Sequence, residues 1–427
     1  MHLTRQWRCQ LGLSNFLEFI QFYNNKLNLS VISDKFLNPM SSIREILSSL
    51  CELPHRGSTT PNEQKASQKI QNWLESFGIS PTIQPFLSPA TFSWELAGIA
   101  GLLAIGAAFG PYFPIPGTFL VVLGAWFFTR HFIGEHTPFS KIVKKHPSQN
   151  VIGTIEPADS AKRTVVLMAH YDTSRAALIW SPKMVKNFRQ SFLINAVLAY
   201  ASVPFTYLGT EWSDFLWYKI ITVLLALYFL FQVIVFIRRE TAHSHVPGAN
   251  DNGSGVTTIL KLAEQYATHP LNSTRVLFAA TGCEEAGMAG ARTFLEESED
   301  VLDPETTYFL NFDNVGAANL HYCVGEGMLF FQAYDQDLVD LAAQITTTSA
   351  FQDIQSHRYR VAYFDTLPVV NEGYKCLTFI GLNDDKSIPN WHWYSDTIDN
   401  IEWKTIEHTI DFGQALIAEI DNGGVDS

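Results

Sequence analysis

Two kinds of apolar run punctuate the chain, and they predict different elements. Thr164–Ala169, Val276–Ala280 and Tyr308–Phe312 are short, continuous stretches of β-branched, aliphatic and aromatic residues, as expected of strands buried on both faces. The longer kind carries no charge at all. From Leu96 to Thr129 there is no Asp, Glu, Lys or Arg, and the stretch is broken in its middle by Pro111-Tyr-Phe-Pro-Ile-Pro116, which predicts a tight helical hairpin. Ser191–Thr210 and Ile220–Ile237 are equally uncharged, the latter closed by Arg238-Arg239. A bilayer-spanning helix needs about 20 apolar residues, so these two have spanning length. Helical spacing is also seen over Ile43–Leu53, Glu63–Phe77 and Val256–Tyr266.

Short buried strands alternating with helices predict an α/β fold with a mostly parallel, mixed central sheet flanked by helices. In such sheets functional groups collect at the carboxyl ends of the strands. The chemistry-bearing residues fall there. His170 and Asp172 follow the first run, Glu284 and Glu285 the second, and Asp313 the third. Asp251 lies in the small-residue turn Pro247–Gly255, just ahead of a helix, and His392 completes the set. A pair of zinc ions roughly 3.5 to 4 Å apart needs a carboxylate shared between them, further N and O ligands, and a carboxylate base for the attacking water. Five ligands and a base are all present. Adjacent glutamates suit a division between ligand and base, and His-x-Asp suits a ligand with the partner that fixes its tautomer.

Asn150-Val-Ile-Gly, His170-Tyr-Asp172, Gly248-Ala-Asn-Asp-Asn-Gly-Ser-Gly255, Glu284-Glu285, Asn311-Phe-Asp313-Asn-Val-Gly316 and His392-Trp-Tyr-Ser-Asp396-Thr397 together resemble the co-catalytic dizinc aminopeptidases. That family also contains glutamate carboxypeptidases and single-zinc glutaminyl cyclases. The resemblance covers roughly residues 41–90, 146–180 and 245–420. Position by position it implies that His170 and Asp313 hold one Zn2+ and Glu285 and His392 the other, with Asp251 bridging. It implies Glu284 as general base and Asp172 as the partner of His170. Co2+ or Mn2+ would fit the same ligands. The implied function is hydrolysis of amino-terminal residues from peptides; a glutaminyl cyclase-like acyl transferase and an inactive membrane scaffold of the same fold are the alternatives. One position departs from the family pattern: Thr366 stands where a histidine is common, which bears on substrate contacts rather than on the five ligands. His243, His245, His321 and His357 read as surface or core groups, and Cys283 as packing. No Gly-x-Ser-x-Gly, Gly-x-x-x-x-Gly-Lys or His-Glu-x-x-His occurs.

The long gap between Asp172 and Asp251 far exceeds what a crossover needs, so the apolar helices are insertions into the catalytic fold. Because the ligands on either side of the second insertion must meet, the number of spans is even. The expected organisation is an N-terminal extension (1–40), catalytic segments at 41–90, 140–189 and 240–427, and transmembrane hairpins at 93–132 and 190–239. Arg130, Lys141, Lys144, Lys145, Lys183, Lys186, Arg189, Arg238 and Arg239 flank the catalytic side, while the opposite turns offer only Lys219. The positive-inside rule then places an integral membrane protein, of the inner or plasma membrane, with its catalytic domain in the cytoplasm. Trp94, Tyr112, Trp126, Tyr207, Trp212, Trp217 and Tyr218 crowd the run ends as an interfacial belt would. Five cysteines without a C-x-x-C pair suit a reducing compartment. With 29 basic against 42 acidic residues and a net charge of −13, a nucleic-acid partner is excluded; the expected partners are a peptide and the lipid bilayer. Met1–Pro39 lacks a signal-peptide core, Phe16–Phe22 is only weakly amphipathic, and Met40 is an alternative start that peptides from residues 1–39 would reject.

Overall fold

The computed structural model describes residues 41–424. The extension expected over 1–40, with Phe16–Phe22 and the Met40 question, lies outside the described residues. Helices α1 (Ile43–Cys51) and α2 (Pro61–Ser76) come first, followed by strand β1 (Thr82–Pro89), and then α3 (Ser93–Phe109) and α4 (Pro114–Phe132). Strands β2 (Lys145–Ile155) and β3 (Arg163–His170) precede α5 (Phe188–Tyr207) and α6 (Leu216–Ala242). The remainder runs α7 (Gly255–Thr268), β4 (Thr274–Thr281), α8 (Ala289–Ser298), β5 (Thr307–Phe312), β6 (Asn319–Cys323), the short pair β7 (Gly325–Glu326) and β8 (Gln332–Ala333), and α9 (Gln336–Ile345). It closes with β9 (Gln355–His357), α10 (Thr366–Asn371), β10 (Lys375–Leu382) and α11 (Trp403–Asp421).

Eight strands form one mixed sheet in the order β1-β2-β4-β3-β5-β10-β6-β9. Its centre, β4-β3-β5-β10, is parallel, which is where the three short apolar runs sit; Val165 to Ala169 are fully buried because helices cover both faces. The register brings the ends level: His170 pairs with Thr281 and Met168 with Asn311, so the loops after three neighbouring strands leave the sheet side by side. α7 packs against this centre so closely that a Cβ on Gly255 would stand 2.1 Å from the Phe312 carbonyl oxygen. Gly255→Ala is therefore expected to destabilise the protein by about 1–3 kcal/mol, read as a lowered thermal midpoint; an unchanged midpoint would mean the helix can shift without cost.

The inserted helices form a second apolar core, in which Leu103, Val121, Phe128, Phe192 and Phe229 are buried. α3 and α4 make the expected hairpin. Their backbones touch where Gly106 and Gly117 face each other: a Cβ on either would lie 2.8 Å from the other's carbonyl oxygen, the close approach that small residues permit between membrane helices. The second expected hairpin differs. α6 packs along α3 and α4 along α5, whereas α5 and α6 meet chiefly at single points, the Tyr228 hydroxyl donating to Asn195 Oδ1 at 2.8 Å and the Tyr218 hydroxyl to the Thr206 carbonyl at 3.0 Å. Adjacency in sequence misled here, because two helices joined by a short turn find better partners in the earlier pair. By length and composition only α6, among the described residues, is long and apolar enough to cross a membrane; α3 is a shorter apolar helix. The outer faces are apolar too, with Ile105, Phe119, Val197, Leu224 and Phe231 about half exposed or more.

Candidate metal centre

His170 ends β3, Asp313 immediately follows β5, and Glu284 and Glu285 occupy a single 3-10 turn just past β4. Asp251 lies in the loop that opens α7, and His392 in the loop after β10, where its backbone is held in the left-handed region at φ 50°. The fold gathers all of them. His170, Asp251 and Asp313 form one group of mutually close ligand atoms, and Asp251, Glu285 and His392 another, so Asp251 is common to both. His170 Nε2 lies 3.3 Å from Asp251 Oδ1 and 3.7 Å from Asp313 Oδ2. On the other side, His392 Nε2 is 3.1 Å from Asp251 Oδ2 and 3.0 Å from Glu285 Oε1. The two oxygens of Asp251 thus face different partners.

The donors suit a pair of divalent cations. Carboxylates outnumber cationic groups in this buried place, and burial of unpaired charge is costly. Glu285 Oε1 is buried without a hydrogen-bond partner, although His392 Nε2 stands 3.0 Å away. Two donors aimed at one point rather than at each other produce that geometry. Burial works against the charge on His392, yet Glu285 and Asp251 beside it raise its pKa to about 9. Burial also pushes the Glu284 carboxyl well above its usual range, with Glu285 and Asp365 adding to the effect. A cluster in want of positive charge behaves this way.

Asp172 has a wider part than the orienting one expected. His170 Nδ1 sits 3.2 Å from the Asp172 carbonyl oxygen and 3.4 Å from its Oδ1. The carboxylate accepts from the Ser58 hydroxyl at 2.6 Å and from the Glu284 and Glu285 amides at 3.0 and 3.2 Å. It therefore fixes the glutamate turn as well as the histidine. Asp396 does the same for the other loop, accepting from the Asn250 and Asp251 amides at 2.7 and 3.0 Å.

Sequence reasoning missed Arg56 and Ser58. Arg56 is completely buried and donates to the carbonyls of Tyr171, Pro247 and Gly248 at 2.7, 3.0 and 2.7 Å, clamping the loops that carry His170 and Asp251. No local pattern marks a residue whose partners are over a hundred positions away. Arg239, near the end of α6, also reaches the site: it donates to Thr91, Ser93 and Ser174 and lies over the rings of Phe92 and Trp180, and Trp180 in turn meets His392 edge-on at 4.9 Å.

Thr366 does not join the cluster. Its hydroxyl donates to Glu326 Oε1 at 2.6 Å in a buried network with Tyr334 and Thr378. Burial raises the Glu326 carboxyl to about 7, above its ordinary 4.5. A raised acid favours folding in its protonated form, so the cost of Glu326 grows as pH rises from 4.5 to about 7 and is constant above. Glu326→Gln is expected to abolish that slope, gaining up to about 3 kcal/mol on the wild type at pH 8 relative to pH 4.5. Parallel slopes in pH-dependent unfolding would contradict it.

A cavity of about 410 Å³ opens on the cluster, with Asp251, Glu284, Glu285, Asp313 and His392 in its wall; this is a normal size for a small-molecule site. It continues among α3, α4, α5 and α6.

Residues 237–417 match the model of Peptidase family M28. Among curated proteins, a probable lipoprotein aminopeptidase of Mycobacterium tuberculosis is 38% identical over 81 residues, 19% of this chain and 16% of that protein. An aminopeptidase of Pseudomonas aeruginosa is 35% identical over 82 residues, 19% and 15% respectively; the chain thus matches only about a sixth of the length of these relatives. Solved structures align over far more. The zinc aminopeptidase of Bacillus subtilis aligns with 89% of this chain and 95% of its own at TM-score 0.51 and 15% identity. The aminopeptidase of Aneurinibacillus sp. strain AM-1 aligns over 88% and 92% at 0.53 and 16%, and a glutaminyl cyclase of Bacteroides thetaiotaomicron over 89% and 97% at 0.54 and 13%. Residues 237–417 thus resemble peptidase family M28, and the chain shares the fold of zinc aminopeptidases and of a glutaminyl cyclase.

Proposed function

We propose that the chain is a membrane-bound, zinc-dependent aminopeptidase that removes amino-terminal residues from peptides. The observation that carries this reading is the pair of ligand groups sharing Asp251. His170 and Asp313 would hold one zinc and Glu285 and His392 the other, with Asp251 contributing to both. When bound, the two ions polarise the scissile carbonyl and make water acidic enough to be a nucleophile at neutral pH. Glu284 is half-buried and lines the cavity, so it can take a proton from the attacking water and return it to the leaving amine. Asp172 keeps Glu284, Glu285 and His170 in register through the contacts above, and Asp396 does so for Asp251. α6, with the apolar faces of α3, α4 and α5, anchors the catalytic domain on the cytoplasmic side of the membrane, as the flanking Lys and Arg residues favour.

Purified protein loaded with zinc and given peptides with free or acetylated amino ends should remove residues stepwise from the free end only, with products read by mass. Chelation is expected to abolish turnover and added zinc to restore it, with two zinc ions per chain by elemental analysis. One ion per chain would favour cyclase-like acyl transfer, and activity that survives complete metal removal would overturn the reading.

A further inference from the structure

The cavity at the metal centre is larger than an amide and a side chain require, and its far part belongs to the inserted helices. Leu96, Ile99 and Leu103 line it from α3, Phe128 from α4, Phe192 from α5 and Phe229 from α6. Leu96, Ile99 and Leu103 follow one helical face for two turns, a depth of roughly 10 Å. That exceeds the reach of an ordinary apolar side chain. It is also poor accommodation for a peptide backbone, which brings an N–H and a C=O with every residue and needs partners for them. Of the polar groups that also line this region, Ser191, Asn195 and Gln232, the Asn195 amide is engaged with the Ser191 carbonyl and the Tyr228 hydroxyl, and Gln232 with the Tyr228 hydroxyl, which leaves few partners for a peptide backbone. A hydrocarbon chain makes no such demand. The same cavity has a polar part, with Lys145 and Arg292 beside Glu95 and Glu296.

We infer that the site also takes a second, amphipathic class of substrate, an N-acylated amino acid or peptide whose scissile amide lies at the metal centre, whose long acyl chain lies among α3–α6, and whose amino-acid portion lies in the polar part. The inference rests on the metal-dependent amide hydrolysis proposed above and adds to it an activity in which a hydrocarbon acyl group stands in place of the amino-terminal residue. An extended chain advances roughly 1.2 Å per bond, so the two turns of α3 alone accommodate about eight carbons.

The zinc-loaded, full-length protein would be given acyl-phenylalanines with chains of two to fourteen carbons, alongside leucyl peptides. kcat/KM is expected to rise by about two- to fourfold per added methylene and to level off near ten carbons. Leu103→Trp should move that plateau to shorter chains. Binding is read separately from turnover, by crosslinking dodecanoyl-phenylalanine with a diazirine at the chain end to the Glu284→Gln variant. Label assigned by peptide fragmentation to the residues Leu103, Phe128 or Phe229 themselves, competed by unlabelled compound, supports the inference. Label confined to outward residues such as Ile105, Phe119 and Phe231 overturns it. Cleavage of leucyl peptides with no dependence on acyl length overturns it too, while leaving the hydrolase reading intact. Failure to cleave any amide with zinc bound overturns both.

Discussion

Glu284→Gln is expected to lower kcat by about 10³-fold, within the usual range for loss of a general base, while zinc content stays at that of the wild type. Glutamine keeps the size of the side chain and removes only its capacity to carry a proton. The argument is geometric. Glu284 and its neighbour Glu285 share one tight turn, both amides held by Asp172, yet only Glu285 belongs to a group of ligand atoms. The side chain left over lines the cavity where a substrate must sit. Steady-state kinetics and elemental analysis on one preparation decide the matter: a parallel loss of zinc would make Glu284 a ligand, and retained activity would pass the proton transfer to another group.

The largest expected loss of stability follows removal of Arg56. Arg56→Met should cost about 3–5 kcal/mol and weaken zinc binding as well, because three buried carbonyls lose their donor and nearby Asp172, Asp251 and Asp396 lose a compensating charge. Methionine preserves much of the volume, so a cavity is not the cause. Arg56→Lys should fall between, since an ammonium cannot fork toward three acceptors. Thermal unfolding with and without zinc tests this, and a midpoint within a degree of the wild type would show that the loops around His170 and Asp251 hold their shape unaided.

Much of this site is legible in the sequence because strand ends are. A buried parallel strand must be apolar throughout, as Val165–Ala169 is, so the first polar group after it marks the sheet's edge and hence the site. His170 and Asp313 are found that way, and Glu285 lies a few residues beyond the edge so marked, after Thr281 and Glu284. Asp251 and His392 lie on loops and are legible only through the short motifs around them. Arg56 and Ser58 are not, since a clamp made by one side chain on distant carbonyls leaves no periodic trace. The neighbours of α5 and α6 are not legible for a related reason: apolar composition says that a helix will be covered, and says nothing of which neighbour covers it. Thr366 stood out as a missing histidine, and the structure gives it other employment, in a network with Glu326 that sequence could not join.

Arg239 fastens the end of α6 to Ser174, four residues beyond His170, and to the ring that lies against His392. The helix most suited to crossing a bilayer is therefore riveted to the loops of the metal centre. Anything that shifts or tilts α6, as bilayer thickness would if α6 spans a membrane as proposed, pulls on the same loops. Excising the four helices would remove a wall of the cavity at the metal centre. On the proposed membrane reading, activity measured outside a bilayer of suitable thickness would describe a site of altered shape.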